Sequence, residues 1–215
     1  MKILNVVILC MMISMFSGCS VSEPDTNIAS SSSNNSDINY EDEDKKQEER
    51  SKQTLWTVLD KDGNDKEMLK DDNKDVEQIV DIIDKHCLIV DNRDFNKLNL
   101  ENEYNLYSDN FIKVLKKGNY KESVQSMYES NKLAIKHENL VWYRNYFNED
   151  MTTCKVTVES EFIVKKANKD YLDKNQMNLD EVYQEKRIYY LEKLNNKWKI
   201  VNIEKGALTK RSKAE

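Results

Sequence analysis

Apolar positions fall along the chain in four regimes, each with its own period. Ile3–Phe16 is almost unbroken apolar sequence, and Ser20–Ser51 carries almost none. Leu55–Leu59 is a short apolar run leading into an Asp/Gly-rich turn, as a strand would. From Asp75 the spacing becomes helical: Val76, Ile79, Val80, Ile83, Cys87 and Val90 form one stripe, with Glu77, Asp81, Asp84 and Lys85 outside it. Asp75, with Gln78 three residues on, predicts the N-cap of this helix. Further helices are predicted over Tyr104–Lys117, closed by Gly118, and over Lys121–Lys132.

After Ala134 the period falls to two. His137–Phe147 and Met151–Lys165 predict strands, and Asn168–Asp180 is a polar interruption. Val182–Leu194 and Trp198–Glu204 predict a hairpin across Asn195-Asn196, residues that tolerate positive φ. The expected fold is α+β: three N-terminal helices packed on a curved four-stranded antiparallel sheet. The expected boundaries are a leader over 1–18, a linker over 19–53, a strand/turn connector over 54–74, the domain over 75–205 and a basic disordered tail over 206–215.

The leader has Lys2 as its positive end and an apolar run of about 14 residues, or about 21 Å as a helix at ~1.5 Å per residue. That is short of the ~30 Å hydrocarbon core, so a cleaved export signal is expected rather than a retained span. Its close, Phe16-Ser17-Gly18-Cys19, resembles the lipobox of bacterial lipoproteins, with Phe16 where Leu is usual. The resemblance implies a diacylglyceryl group on the Cys19 sulfur and cleavage between Gly18 and Cys19. Two acyl chains give stable attachment where one binds only marginally. The expected location is therefore the extracytoplasmic face of the cell membrane. Abundant Asn, Lys, Ile and Asp fit a Gram-positive bacterium with an AT-rich genome.

Beyond Cys19, the Ser30–Ser36 tract and the charged run Glu41–Arg50 cannot bury enough surface to offset ordering entropy. As a flexible coil, about 32 residues would reach roughly 30 Å. The formal net charge is −6, which excludes nonspecific nucleic-acid binding; the cluster Lys205, Lys210, Arg211, Lys213 reads as a solvated terminus.

The order of helices and strands, together with the closing Tyr189–Ile203 segment and its Trp198, resembles the cone-shaped superfamily of nuclear transport factor and ketosteroid isomerase (SnoaL-like). That resemblance implies a bent sheet wrapped around a long first helix, with a mouth between sheet and helices.

Candidate chemistry is sparse. Asp60, Asp62, Asn64 and Asp71 have calcium-loop spacing, but Asp65 stands where the loop needs Gly, so a turn without metal is expected. His86 should sit at the border of the helical stripe, and His137 opens a strand. No His/Cys cluster, phosphate loop or nucleophile elbow is present, and no cofactor is expected. Cys87 and Cys154 both lie in apolar stripes and read as buried thiols, with a disulfide between them left open because export favours oxidation. Tyr107, Trp142, Tyr143, Tyr190 and Trp198 are the candidates for a pocket or partner surface. The expected function is a noncatalytic interaction or accessory binding module, tethered through Cys19 and meeting a protein partner at the envelope. The alternative is an enzymatic or small-molecule-binding cone domain with its pocket between helices and sheet.

Overall fold

The computed structural model describes residues 55–211. The expected leader, the lipobox-like segment with Cys19, the expected linker up to Thr54 and the last four residues lie outside them. Strands β1 (Trp56–Leu59) and β2 (Asp65–Leu69) come first, followed by helices α1 (Lys74–Val90), α2 (Glu101–Tyr104), α3 (Asp109–Lys117) and α4 (Tyr120–Asn131). Then come β3 (Ala134–Trp142), β4 (Asn145–Phe147), β5 (Thr153–Lys166), α5 (Lys169–Asn175), β6 (Val182–Leu194) and β7 (Lys197–Lys210). All seven strands form one sheet of order β2-β1-β4-β5-β6-β7, with β3 lying beside β5. The β1–β4 pair is parallel and the others are antiparallel.

The class is α+β, but the expected three helices on a four-stranded antiparallel sheet is overturned by the five helices and seven-stranded mixed sheet among the described residues. The predicted connector supplies two of the extra strands. The predicted strand over 137–147 starts earlier and is broken. At Tyr143–Arg144 the chain lifts, and the Asn145 side-chain oxygen accepts from Thr157 N at 2.8 Å in place of a backbone carbonyl. Asn145 N meanwhile donates to Leu55 O at 2.7 Å, which starts the parallel pair with β1.

The predicted helix over 104–117 is likewise two pieces. Leu106–Ser108 bonds to the edge of β7, with Ser108 N donating to Ile200 O and Ile200 N to Leu106 O. Ser108 Oγ then caps α3 by accepting from Phe111 N at 3.2 Å.

Helix α1 is capped by Asn73, whose Oδ1 accepts from Asp75 N at 2.9 Å, so the helix begins one residue before the predicted cap. Asp75 is used otherwise: its Oδ1 accepts from Trp198 Nε1 at 2.8 Å and pairs with Lys193 Nζ at 2.7 Å, pinning the helix start to the β6–β7 hairpin. That hairpin turns through Asn195 and Asn196 at φ 50° and 62°, the double positive φ of a type I′ turn. Strand β7 runs on to Lys210, so 206–210 belong to the sheet rather than to a frayed tail.

Along β5, Cys154, Val156, Val158, Ser160, Phe162 and Val164 face inward and are buried, the alternation of a sheet covered on one side. One core cluster joins α1 to the sheet around Ile79, Ile83, Val156, Leu191, Trp198 and Ile200. A second gathers Val124, Tyr128, Leu133, Val164, Met177 and Tyr183. Among the described residues no helix is long and apolar enough to cross a membrane.

Candidate functional site

Two regions concentrate polar side chains: the layer between α1 and the sheet, and the sheet's opposite face.

The inner layer is built from the end of α1. His86 is 1% exposed, because it stands at helical spacing from Ile79, Ile83 and Val90 and so falls within the buried stripe rather than at its border. Its Nδ1 lies 2.9 Å from Tyr189 Oη and its Nε2 2.8 Å from Tyr107 Oη. Burial, reinforced by the nearby Arg187, Lys205 and Arg93, drives its pKa well below the ordinary imidazole value. The ring is therefore neutral, with one nitrogen donating and the other accepting.

One turn on, Asp91 closes the helix and receives Arg187 in a fork, at 2.6 and 2.9 Å, with Ser160 Oγ donating at 2.6 Å. Burial alone would raise the Asp91 carboxyl, but the Arg187 guanidinium and these hydrogen bonds hold it well below the usual range. Arg187 Nε also donates to Glu185 Oε2 at 2.6 Å, and Lys205 Nζ reaches the same oxygen at 3.1 Å. His137 Nδ1 lies 3.7 Å from Asp91 Oδ2.

A second buried pair, Arg93 and Glu103, is joined through Arg93 Nη2, which also donates to Tyr120 Oη at 3.0 Å. Burial raises the Glu103 carboxyl against the pull of Arg93. Arg187, Asp91 and Glu103 are each at most 1% exposed. These ion pairs and hydrogen bonds tie the layer to itself.

The sequence candidates divide between the two faces. Tyr107 and Trp198 are buried, Tyr107 on His86 and Trp198 against Phe147 with ring centroids 5.7 Å apart. Trp142 packs on Trp56 at 5.9 Å. Tyr143 and Tyr190 lie on the outer face, under Lys186 (5.1 Å) and Lys155 (5.9 Å) respectively. The five thus do not line one pocket between helices and sheet. Cys87 and Cys154 are buried free thiols rather than a bridge. Cys87 Sγ stands 3.4 Å from Tyr189 Oη, and burial raises both thiols above their ordinary pKa.

On the outer face a groove of about 870 Å³ runs between the β1–β2 turn and the sheet, lined by Asp60, Lys61, Tyr146, Lys155, Tyr190 and Glu192 among others. Its rim is stiff: Asp60 Oδ1 accepts from Asp62 N (2.9 Å) and Asn64 N (2.8 Å), and Gly63 supplies the φ of 85° the turn needs. Strand register sets Tyr146, Lys155 and Tyr190 of the groove in one row, which continues through the fully buried Thr57 to Met68 on one side and to Asn202 on the other. Arg144 stacks on Tyr146 at 5.7 Å.

Sequence reasoning missed Arg187, which occupies a core-facing parity between Tyr189 and Glu185 in β6; a charge at a buried parity was the available signal. It also missed the Tyr146–Lys155 juxtaposition, which exists only through cross-strand pairing. No family model and no curated protein matches the chain.

Proposed function

We propose that this chain is an extracytoplasmic lipoprotein, held to the membrane by diacylglycerol on Cys19, whose domain is a noncatalytic binding module that works through its outer sheet face. The observation that carries the domain half is the burial of the inner layer, whose His86, Asp91, Glu103 and Arg187 are each at most 1% exposed. An enzyme of the cone type needs an acid or base with access to a substrate. His86, the best-tuned candidate by its neutral ring, has both nitrogens committed to tyrosine hydroxyls and is shut off from solvent. The outer face is open, grooved and furnished with partly exposed tyrosines among charges, the composition that suits recognition. The anchor half rests on the leader and lipobox described above.

Labelled palmitate fed to producing cells tests the anchor. It follows the wild-type chain and is lost from Cys19→Ala, which leaves the membrane fraction; equal labelling and retention of the two would refute it. A photo-crosslinking side chain placed at Tyr190, compared with one at the exposed Leu88 of α1, tests the face. Crosslinks in intact cells concentrate at position 190. Equal yields at the two positions would dismiss the outer face as the working surface.

A further inference from the structure

One end of the sheet is marked by the first residue of β3 and the last of β5, which pair as Ala134 and Lys166. Three backbone segments are fastened together there: Phe95 N donates to Leu133 O at 3.0 Å, and Asn168 N donates to Asn131 O at 2.8 Å. Lys132, at φ 52°, turns the chain from α4 into β3. Phe95 is half-buried in this corner, with Lys166 Nζ 4.9 Å and Lys132 Nζ 5.4 Å from its ring centroid. The ring thus gathers the two ammoniums to within about 10 Å of each other, the sum of those distances.

Lys132, Lys166 and Lys97, two residues beyond Phe95, are exposed, and among the described residues none of the three forms an ion pair. Other cations at this end are matched: Lys165 by Asp180, Lys136 by Glu138, Lys210 by Glu181 and Arg211 by Glu161. Helix α5 sets Lys169 and Lys174 against Asp170 and Asp173. The neighbouring Asp94 and Glu129 are turned into their own segments, accepting from Asn96 N and Gln125 Nε2, each at 2.8 Å. Three lysines are left over, converging on one aromatic corner.

We infer that this end of the sheet docks on anionic phospholipid headgroups of the membrane that holds the anchor, through Lys97, Lys132 and Lys166. The inference rests on the anchoring proposed above. Strand direction and length select this end. β1 runs parallel to β4 and β4 antiparallel to β5, so the start of β1 at Leu55 points toward Lys166. From Lys155, the partner of Tyr146, to Lys166 is eleven residues of β5, about 36 Å at ~3.3 Å per residue. The roughly 30 Å expected of the linker as a coil is comparable, so anchor and lysines reach one bilayer without stretching it. The basic residues of α3, Lys113, Lys116 and Lys117, belong to the other end, since Ser108 at the head of that helix bonds to Ile200 near the β6–β7 turn. Each lysine at an anionic surface is worth about fivefold in partition, so three give on the order of a hundredfold. That is weak for a free protein and ample for one already tethered, whose second contact is intramolecular. Docked this way, the strands stand up from the membrane and the outer face is presented sideways.

The experiment floats the full chain carrying Cys19→Ala with phosphatidylcholine vesicles that contain either no phosphatidylglycerol or one-third of it. Any contribution of the apolar leader is common to both vesicles and cancels in the comparison. The chain partitions more strongly to the anionic vesicles, and added salt removes the difference. Lys132→Ala and Lys166→Ala each lower that partition about fivefold. Lys132→Arg/Lys166→Arg keeps it, which separates charge from a folding defect, and Lys116→Ala/Lys117→Ala on α3 leaves it unchanged. Equal partition to the two vesicles, wild-type partition by Lys132→Ala/Lys166→Ala, or an equal loss from the α3 pair would each overturn the inference. Binding that appears only after Glu41, Asp42, Glu43 and Asp44 are replaced by serine would give the lysines to the chain's own acidic run and overturn it too. If palmitate follows Cys19 while Lys132 and Lys166 prove indifferent, the docking end falls and the anchor stands. If the label is lost while lysine-dependent vesicle binding persists, the anchor falls and the lipid-binding end stands.

Discussion

Between pH 7 and pH 5 the buried His86 couples folding to proton uptake. Its folded pKa lies well below 6.5, whereas the unfolded chain takes up a proton near that value. Below about 6.5 the unfolded state therefore binds more protons, and stability falls as the medium is acidified, by up to ~1.4 kcal/mol per pH unit from this one residue. Asp91 acts in a separate window. Its folded pKa is depressed below 3.8, so its contribution is present at neutral pH and is lost only deeper into acid. Thermal melts from pH 7 to pH 5 are expected to show a falling midpoint, with a shallower slope in His86→Gln, which cannot take up the proton. An unchanged slope in that variant would assign the effect elsewhere. His86 was legible as part of a stripe, since 79, 83, 86 and 90 are helical neighbours. Its partners were not, because Tyr107 and Tyr189 are brought to it by a loop and by a strand about a hundred residues downstream.

Elements with a strong local period were readable, and those defined by distant pairing were not. Helix α1 and the β6–β7 hairpin follow from spacing and from two asparagines. Helix α5 has no buried residue and hence no apolar stripe to read, so it looked like a polar interruption. The pairing of β1 with β4 joins segments nearly ninety residues apart, and nothing within either announces the other. Asn145 is the joint that makes this pairing work. It is fully buried, its side chain holding Thr157 N while its own N–H holds Leu55 O. Asn145→Ala strands the Thr157 N–H and should cost about 1–3 kcal/mol, read from the urea midpoint. Hydrogen exchange should locate the loss in β4 and β1, and protection retained there would contradict this role.

At the scale of the molecule, the folding unit takes in β1, ahead of the domain start expected at Asp75. Trp56 and Val58 of β1 are each 2% exposed and pack in the main core with Phe147 and Trp198. A chain starting at Asp71 would lack them and would leave the three-residue β4 as an edge. It is expected to aggregate or to unfold without cooperativity, while one starting at Ser51 unfolds in a single transition; indistinguishable melts would place the core elsewhere. Because β1 sits between β2 and β4, it is gripped from both sides at the point where the chain enters the sheet. Under the anchoring proposed here, mechanical load carried from the membrane arrives at Leu55. Drag along that strand strains its flanking ladders simultaneously, in shear, instead of unzipping them bond by bond. The attachment point is thus a place where the sheet takes load in shear.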